Sequence, residues 1–455
     1  MHGQSRVKLN LVIANTEQDE KHWALNIAAN RATENGVNSN RLQTCCQINR
    51  SMSFDETTFF AALTSLGLPE VPKQFSVVPL AQLIRRETLL EINNFIGLFD
   101  RVTTRVSWQK AATRSAPQIA QSSRSEICFF TAWDFHISPE QGWQLIECND
   151  NGSGFLFAAA INHLYYKLSD LAQASAIEAP PGVDAFGEQL AAMIEREAKD
   201  FFGAVPDGLF LILETTGMLR VGKFYQELIL LRDLLRRRGW HSEIGSPDQL
   251  RWDGRDLFWN GRRVDFIINR CTDFFWDGDE CSSLRAGYLN GRVYVAPNPF
   301  TYATRSDKRL FEWLSSSHSD RELGILPEER ALLSAHVPET FLLQDENLSE
   351  LAAKKTEFFF KPTHGFASHG ILTSSQVGTA RLRQLLKRNR PYVAQKSVAK
   401  PTLKVTRPGS DVTLWTDLRV WAYRGECFLL SGRASTQRDR IDLTPPGGWL
   451  PTFVL

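Results

Sequence analysis

The chain is poor in the features that would settle its class at a glance. Its seven cysteines are an odd number, scattered, with Cys45 and Cys46 adjacent and no CxxC pair. That disfavours both a disulfide framework and a structural zinc site, and makes a reducing cytoplasm the expected setting. A net charge of +1, from 52 basic and 51 acidic residues, offers no broad field for nucleic acid or a charged membrane surface. No apolar run reaches the roughly 18 residues of a membrane span. The opening Met1-His2-Gly3-Gln4-Ser5-Arg6 lacks the apolar stretch of a secretory signal. A GxxxxGK[ST] loop is also missing, so a nucleotide would have to be held in some other way.

The rest is ordinary for a globular protein, with 43% hydrophobic and 23% charged residues. At 455 residues the chain is too long for one core, and about two or three domains are expected. Residues 1–125 read as polar to mixed with helical patches, Thr57 to Leu66 and Leu80 to Leu98, and carry no catalytic motif. From Gly208 a pattern of strand (Leu209–Leu213), helix (Val221–Arg238), strand (Trp240–Ile244) and strand (Val264–Arg270) predicts a small open layer of parallel strands. Ligands of such layers gather at the carboxyl ends of the strands, which makes Asn269, Arg270 and Asp273 candidate substrate-side residues. An exposed loop with ordinary charges reads equally well.

Two stretches carry more specific chemistry. The first is Gln144-Leu145-Ile146-Glu147-Cys148-Asn149-Asp150-Asn151-Gly152-Ser153-Gly154, an apolar approach, two oxygen-bearing side chains two apart, and a Gly-rich turn into a helix beginning at Phe155. Residues two apart on a strand share a face, so Glu147 and Asn149 are expected side by side. The preceding strand, Thr131 to Ile137, brings Asp134. Two carboxylates and a carboxamide on adjacent strands suit a Mg²⁺ that also holds phosphates. A hairpin with solvated polar ends fits the spacing as well, and Cys148, on the opposite strand face, is expected to be packed. The second stretch is Glu357-Phe358-Phe359-Phe360-Lys361-Pro362 running into Thr363-His364-Gly365-Phe366-Ala367-Ser368-His369-Gly370. A lysine at a strand end followed by a small-residue loop suits a polyphosphate, because backbone N–H groups can approach the oxygens and the ammonium adds point charge. A later pair of strands turns at Arg424-Gly425, placing Asp417 and Arg419 on one face with Arg433 near the end of the partner. His136, His364 and His369 share no ligand spacing, which weighs against a transition-metal site.

Taken together these residues resemble the ATP-grasp superfamily. Lys361-Pro362 with its loop resembles the phosphate-binding strand and lid, Tyr392 to Val398 the hinge strand that meets the adenine, and Asp417-Leu418-Arg419-Val420 with Gly425-Glu426 the hairpin of the second sub-lobe. Lys308 stands where the family has an earlier phosphate-binding lysine, and Asp134 with Glu147-Cys148-Asn149 matches its metal segment. That segment here precedes the nucleotide strands, an order similar to circularly permuted members such as the synthetase domain of glutathionylspermidine synthase. Ala132 stands where an Arg is usual, and Lys396, Lys400 and Lys404 follow the hinge where an acid is usual.

The resemblance implies an α/β (α+β) fold with an N-terminal mostly helical region (1–125), a permuted metal-binding segment (126–205), an open α/β substrate layer (206–305) and nucleotide-binding lobes (306–455). It implies ATP and Mg²⁺ as cofactors, with Asp134, Glu147 and Asn149 on the metal. Lys308, Lys361, Gly365, Ser368, Gly370, Gln395, Lys396 and Val398 would hold the nucleotide, and Arg419, Arg433 and Lys361 would steady the charge in transfer. The implied activity joins a carboxylate to an amine on small-molecule or peptide substrates, without nucleic acid or membrane. A kinase on the same fold, and a nucleotide-binding module without turnover, remain alternatives.

Overall fold

The computed structural model describes residues 56–68, 75–138, 142–173, 176–365, 370–387, 391–407, 410–439, 441 and 443–455. Its main antiparallel sheet joins segments far apart in the chain. Strands β2 (Thr131–Ser138) and β3 (Gly142–Asn149) form one hairpin, β14 (Ser410–Tyr423) and β15 (Glu426–Ser435) another, and β2 lies against β14. β16 (Gly448–Leu450) flanks β15, and β13 (Thr402–Arg407) folds back on β14. The turn between β14 and β15 is Arg424-Gly425, both at positive φ (50° and 80°). Such two-residue turns match the right-handed twist of the strands.

Alternation sorts this sheet into an apolar and a polar face. Trp133, Phe135 and Ile137 of β2 and Leu418, Val420 and Ala422 of β14 pack on Phe95, Phe99 and Trp108 from the helices Arg86–Thr103 and Val106–Thr113. Phe99 meets Trp133 edge-on at 4.6 Å and 88°, a geometry worth about 0.5–1.5 kcal/mol beyond area burial. The opposite face carries Asp134, His136, Asp417 and Arg419. β3 breaks the period. Asp134 opposes Glu147 but Phe135 opposes Leu145, so Ile146 is an extra residue in a bulge. Without the bulge, Glu147 would share the core face of Trp143 and Leu145; with it, Glu147 turns to the polar face. Cys148 is buried in the core, as expected.

The α/β layer is also observed. Strands β5 (Ser242–Gly245), β4 (Leu209–Leu213), β8 (Arg262–Asn269) and β9 (Tyr294–Ala296) run parallel; β7 (Leu257–Trp259) pairs antiparallel with β8, and β6 (Leu250–Trp252) antiparallel with β7. β4 is an unbroken apolar run because both its faces are covered. Phe210 and Ile212 face the helices Phe155–Leu168, Val183–Phe202 and Tyr225–Arg237, while Leu209, Leu211 and Leu213 face the helix Ser282–Leu289.

A three-stranded antiparallel sheet, β10 (Thr340–Leu342), β12 (Tyr392–Lys396) and β11 (Phe358–Pro362), forms a small lobe. Phe358, Phe360, Tyr392 and Ala394 pack on Leu348, Leu351, Leu382 and Leu385. Phe359, Lys361 and Gln395 therefore take the other face. Finally, β1 (Gln82–Ile84) pairs in parallel with β17 (Thr452–Val454). Among the described residues, no helix is long and apolar enough to cross a membrane.

Candidate active site

The polar face of the large sheet carries a row of charges set by strand register. Arg433 opposes Asp417, Arg419 opposes Asp134, and Asp134 opposes Glu147. Opposed residues share a face at close Cβ distance, so each can meet its partner. The Arg419 guanidinium donates to both Asp134 oxygens at 2.6 and 2.7 Å, and Arg433 Nη2 donates to Asp134 Oδ2 at 2.9 Å. Arg433 Nε also donates to Asp417 at 3.1 Å. Burial alone would push the Asp134 carboxyl up, but the Arg419 and Arg433 charges hold it well below the usual carboxylate range. Glu147 and Arg419 thus lie on one face of the sheet with Asp134 between them.

The small lobe presents lysines. Lys361 is 7% exposed and donates to Gln395 Oε1 at 2.5 Å. Lys308 is 8% exposed, lies in the turn ahead of the helix Leu310–Ser315, and donates to the Gly365 carbonyl at 3.1 Å. Its ammonium is 3.8 Å from Glu147 Oε2. Burial lowers the Lys361 pKa to about 8, helped by Lys308 and Lys400 and opposed by Glu147 and Asp134. Burial also lowers Lys400.

Between the sheets lies a cavity of about 40 Å³ lined by His136 and Ile146 from one wall and Phe359, Lys361 and Gln395 from the other. Lys396, Ser397, Val398, Lys400 and Arg438 complete it. That is room for about three water-sized groups, so an adenine would require the walls to part. Burial, with Lys400 and Lys361 nearby, keeps the His136 imidazole neutral well below its ordinary pKa. Sequence reasoning set His136 aside; its place two residues after Asp134, on the same strand face, is the signal that could have found it. Ile146 had no such signal, because the bulge that exposes it is not written in the alternation.

Asn149 donates its amide to Glu147 Oε1 at 3.0 Å, so these two side chains are joined at the strand end. Oxygens of Glu147 and Asn149 suit a hard divalent cation that keeps phosphate and water ligands. Asp134, expected beside them, is adjacent, with its oxygens engaged by the two guanidinium groups. Among the described residues, no group of three or more His, Cys, Asp and Glu side chains could hold a metal ion, so a metal here would rely on the Asn149 oxygen and its own phosphate ligands. Gly370 adopts φ 79°, and Ser368 and His369 fall outside the described residues. Lys396 pairs with Glu339 at 3.4 Å and is half exposed.

The substrate-side candidates lie at the carboxyl end of β8. Asn269 is fully engaged, donating to the Pro297 carbonyl at 3.0 Å and accepting from Cys271 N–H at 3.0 Å. Arg270 donates to the Ser153 hydroxyl and lies over the Phe130 ring at 4.7 Å, while its Nη1 has no hydrogen-bond partner among the described residues. Asp273 accepts from Phe275 N–H at 3.3 Å.

Two charged sheets facing across a cleft, beside a parallel α/β layer, define the fold as the ATP-grasp type. Compared with solved structures, the chain overlays on a glutathione synthetase-like effector from Globodera pallida in its apo form. TM-score is 0.53 at 10% identity, covering 82% of this chain and 89% of that one. A putative gamma-glutamylcysteine synthetase from Methylobacillus flagellatus KT overlays with TM-score 0.42 at 12% identity, covering 78% and 85%. The ATP-grasp ligase PsnB, complexed with a minimal precursor, gives 0.28 at 13%, covering 50% and 86%. At 10% identity the likeness to the effector is one of fold. No family model and no curated protein matches the chain.

Proposed function

We propose that the protein is an ATP- and Mg²⁺-dependent ligase joining a carboxylate to an amine through an acyl phosphate. The observation that carries this reading is the pair of buried lysines, Lys308 and Lys361, whose hydrogen-bond partners are neutral oxygens facing a carboxylate-bearing strand end. Two buried ammonium groups beside the single Glu147 carboxylate, 3.8 Å from Lys308, leave positive charge uncompensated, which is unfavourable and points to a place for an anion. A polyphosphate supplies that anion. Glu147, Asn149 and Asp134 would hold Mg²⁺, which when bound neutralises phosphate charge. Lys308 and Lys361 bind and orient the phosphates. Gln395 fixes the Lys361 ammonium, and His136 with Phe359 borders the base. Arg419 and Arg433 would steady the developing charge of the transferring group from their places on Asp134 and Asp417. The order of the segments, metal hairpin first and nucleotide strands later, fits a circular permutation of the family plan.

Glu147→Gln should lower ADP release by on the order of 10²–10³ while leaving the melting temperature within about 2 °C of wild type. Wild-type turnover in that variant would sink the metal assignment. A second reading, nucleotide binding without turnover, is favoured by the commitment of Asp134 to two guanidinium groups. Trapping with hydroxylamine separates the readings: a hydroxamate formed from a panel of carboxylates supports ligation, and ATP binding with no ADP release supports the module. A phosphorylated hydroxyl product would instead indicate a kinase.

A further inference from the structure

We infer that a small cavity beside the β3 strand end is a subsite for a primary ammonium group that the amine substrate carries in addition to the nitrogen that is acylated. The inference rests on the ligase reading above. The cavity offers about 10 Å³ and is lined by Asp150, Asn151, Asn269, Cys271, Pro297 and Tyr302, with Phe274 at one side. That is room for one water-sized group. It lies where the carboxyl ends of β8 and β9 meet the loop leaving β3, and Asp150 and Asn151 follow Asn149 directly.

The wall is rich in acceptors. Asp150 Oδ2 and Asn151 Oδ1 have no hydrogen-bond partner among the described residues, and Asp150 is 2% exposed. Asn151 already donates its amide to the Cys271 carbonyl at 3.1 Å, so its oxygen is what remains for a guest. Phe274 and Tyr302 stack at 4.1 Å and 5° and offer a π surface to a cation. A buried carboxylate, a carboxamide oxygen and aromatic rings form a host for an N–H-bearing cation and repel an anion.

Charge counting points the same way. Arg305 approaches Asp150 Oδ1 at 3.8 Å but bonds Asp100 at 2.6 Å. Two carboxylates therefore share one guanidinium, and the surplus negative charge lies out of water. A neutral water would satisfy hydrogen bonds and leave that charge uncompensated; an ammonium group does both. Asn151 and Phe274 are the half-exposed members of the wall, so the carbon stem of the amine would leave between them.

Thermal melts of the full chain test this, with ammonium, methylammonium, potassium and tetramethylammonium chlorides at equal ionic strength. Ammonium and methylammonium near ten times their dissociation constants should each raise the melting temperature by about 2 °C. Tetramethylammonium, which has no N–H and exceeds the cavity, should not. Asp150→Asn should abolish the rise, and the milder Tyr302→Phe should shrink it without removing a charge. No rise in the wild type, or an equal rise in wild type and Asp150→Asn, would overturn the subsite. A potassium effect matching that of ammonium would overturn the amine in favour of a metal cation. Stabilisation of the wild type by Mg²⁺-ATP, read in the same melts, reports on the ligase reading separately: its absence would sink that reading whatever ammonium does.

Discussion

On the large sheet every buried charge of the cleft faces an opposite charge. Arg419 and Arg433 hold Asp134, and Arg433 also holds Asp417. The lysines across the cleft do the reverse: Lys361 leans on a carboxamide oxygen and Lys308 on a backbone carbonyl, and the one carboxylate beside them is Glu147, 3.8 Å from Lys308. Folding completes the first wall by itself. The second is left short of negative charge, and its depressed lysine marks the shortage. A protein that sought stability alone would have paired or removed those lysines. The difference separates charges that hold the sheet from charges kept for a ligand.

Substitutions can break that distinction. The largest effect is expected from Arg433→Leu, which strands Asp134 and Asp417 with too few donors and should lower unfolding free energy by about 3–5 kcal/mol. Urea denaturation measures it, and a loss below about 1 kcal/mol would mean the pairs on the large sheet hold little. Next comes Lys361→Met, which should leave the urea midpoint unchanged or higher and cut ADP release on the order of 10²–10³. The same lysine sets a pH signature. Its folded pKa of about 8 lies below the ordinary 10.5, so between those values the folded chain holds fewer protons than the unfolded one, and the Lys361 contribution to stability rises with pH. A bound polyphosphate favours the charged form, so stabilisation by Mg²⁺-ATP should weaken as pH climbs past about 8. Melts from pH 7 to 9.5 would show this in the wild type, and a weakening of equal size in Lys361→Arg would assign it elsewhere.

The smallest effect sharpens the comparison with a third solution. Glu227 is a fully buried carboxylate that accepts from Gly154 N–H at 2.8 Å and Leu156 N–H at 2.9 Å, capping the helix Phe155–Leu168. Neutral donors and the helix dipole act there together with the nearby Arg270 charge. Glu227→Ala should lower unfolding free energy by about 2 kcal/mol, and hydrogen exchange at Leu156 should accelerate. Unchanged exchange would remove Glu227 from the cap.

Much of the site was legible because it lies on strands whose apolar period is clean. Leu209–Leu213 and the Arg424-Gly425 turn fall as the sequence predicts, and Phe155 opens its helix. Boundaries drifted where side chains did not report the end. The helix expected over Val221–Arg238 begins at Tyr225, because Thr216–Met218 and Gly222 take up a tighter turn first. The strand expected to begin at Asp417 begins at Ser410, since β13 pairs with its polar first half. Within 1–125, the helix expected over Leu80–Leu98 is Arg86–Thr103 preceded by β1, whose strand character comes from pairing with residues 452–454. Such pairing has no local signature. The pairing of Asp134 with Arg419 and Arg433 could not be read either, because strand neighbours 285 and 299 residues apart leave no mark on spacing.

That separation also governs when the protein becomes competent. β2 has β14 as its neighbour, and β14 emerges from the ribosome some 285 residues after Asp134. At about 5–20 residues per second, the Asp134 carboxylate waits roughly 15–60 s for its guanidinium partners. Through that interval an apolar hairpin edge lies open to other chains, the condition under which nascent proteins need chaperones. Translation that stalls before β14 would therefore leave the β2 edge unpaired and the Asp134 carboxylate without its guanidinium partners.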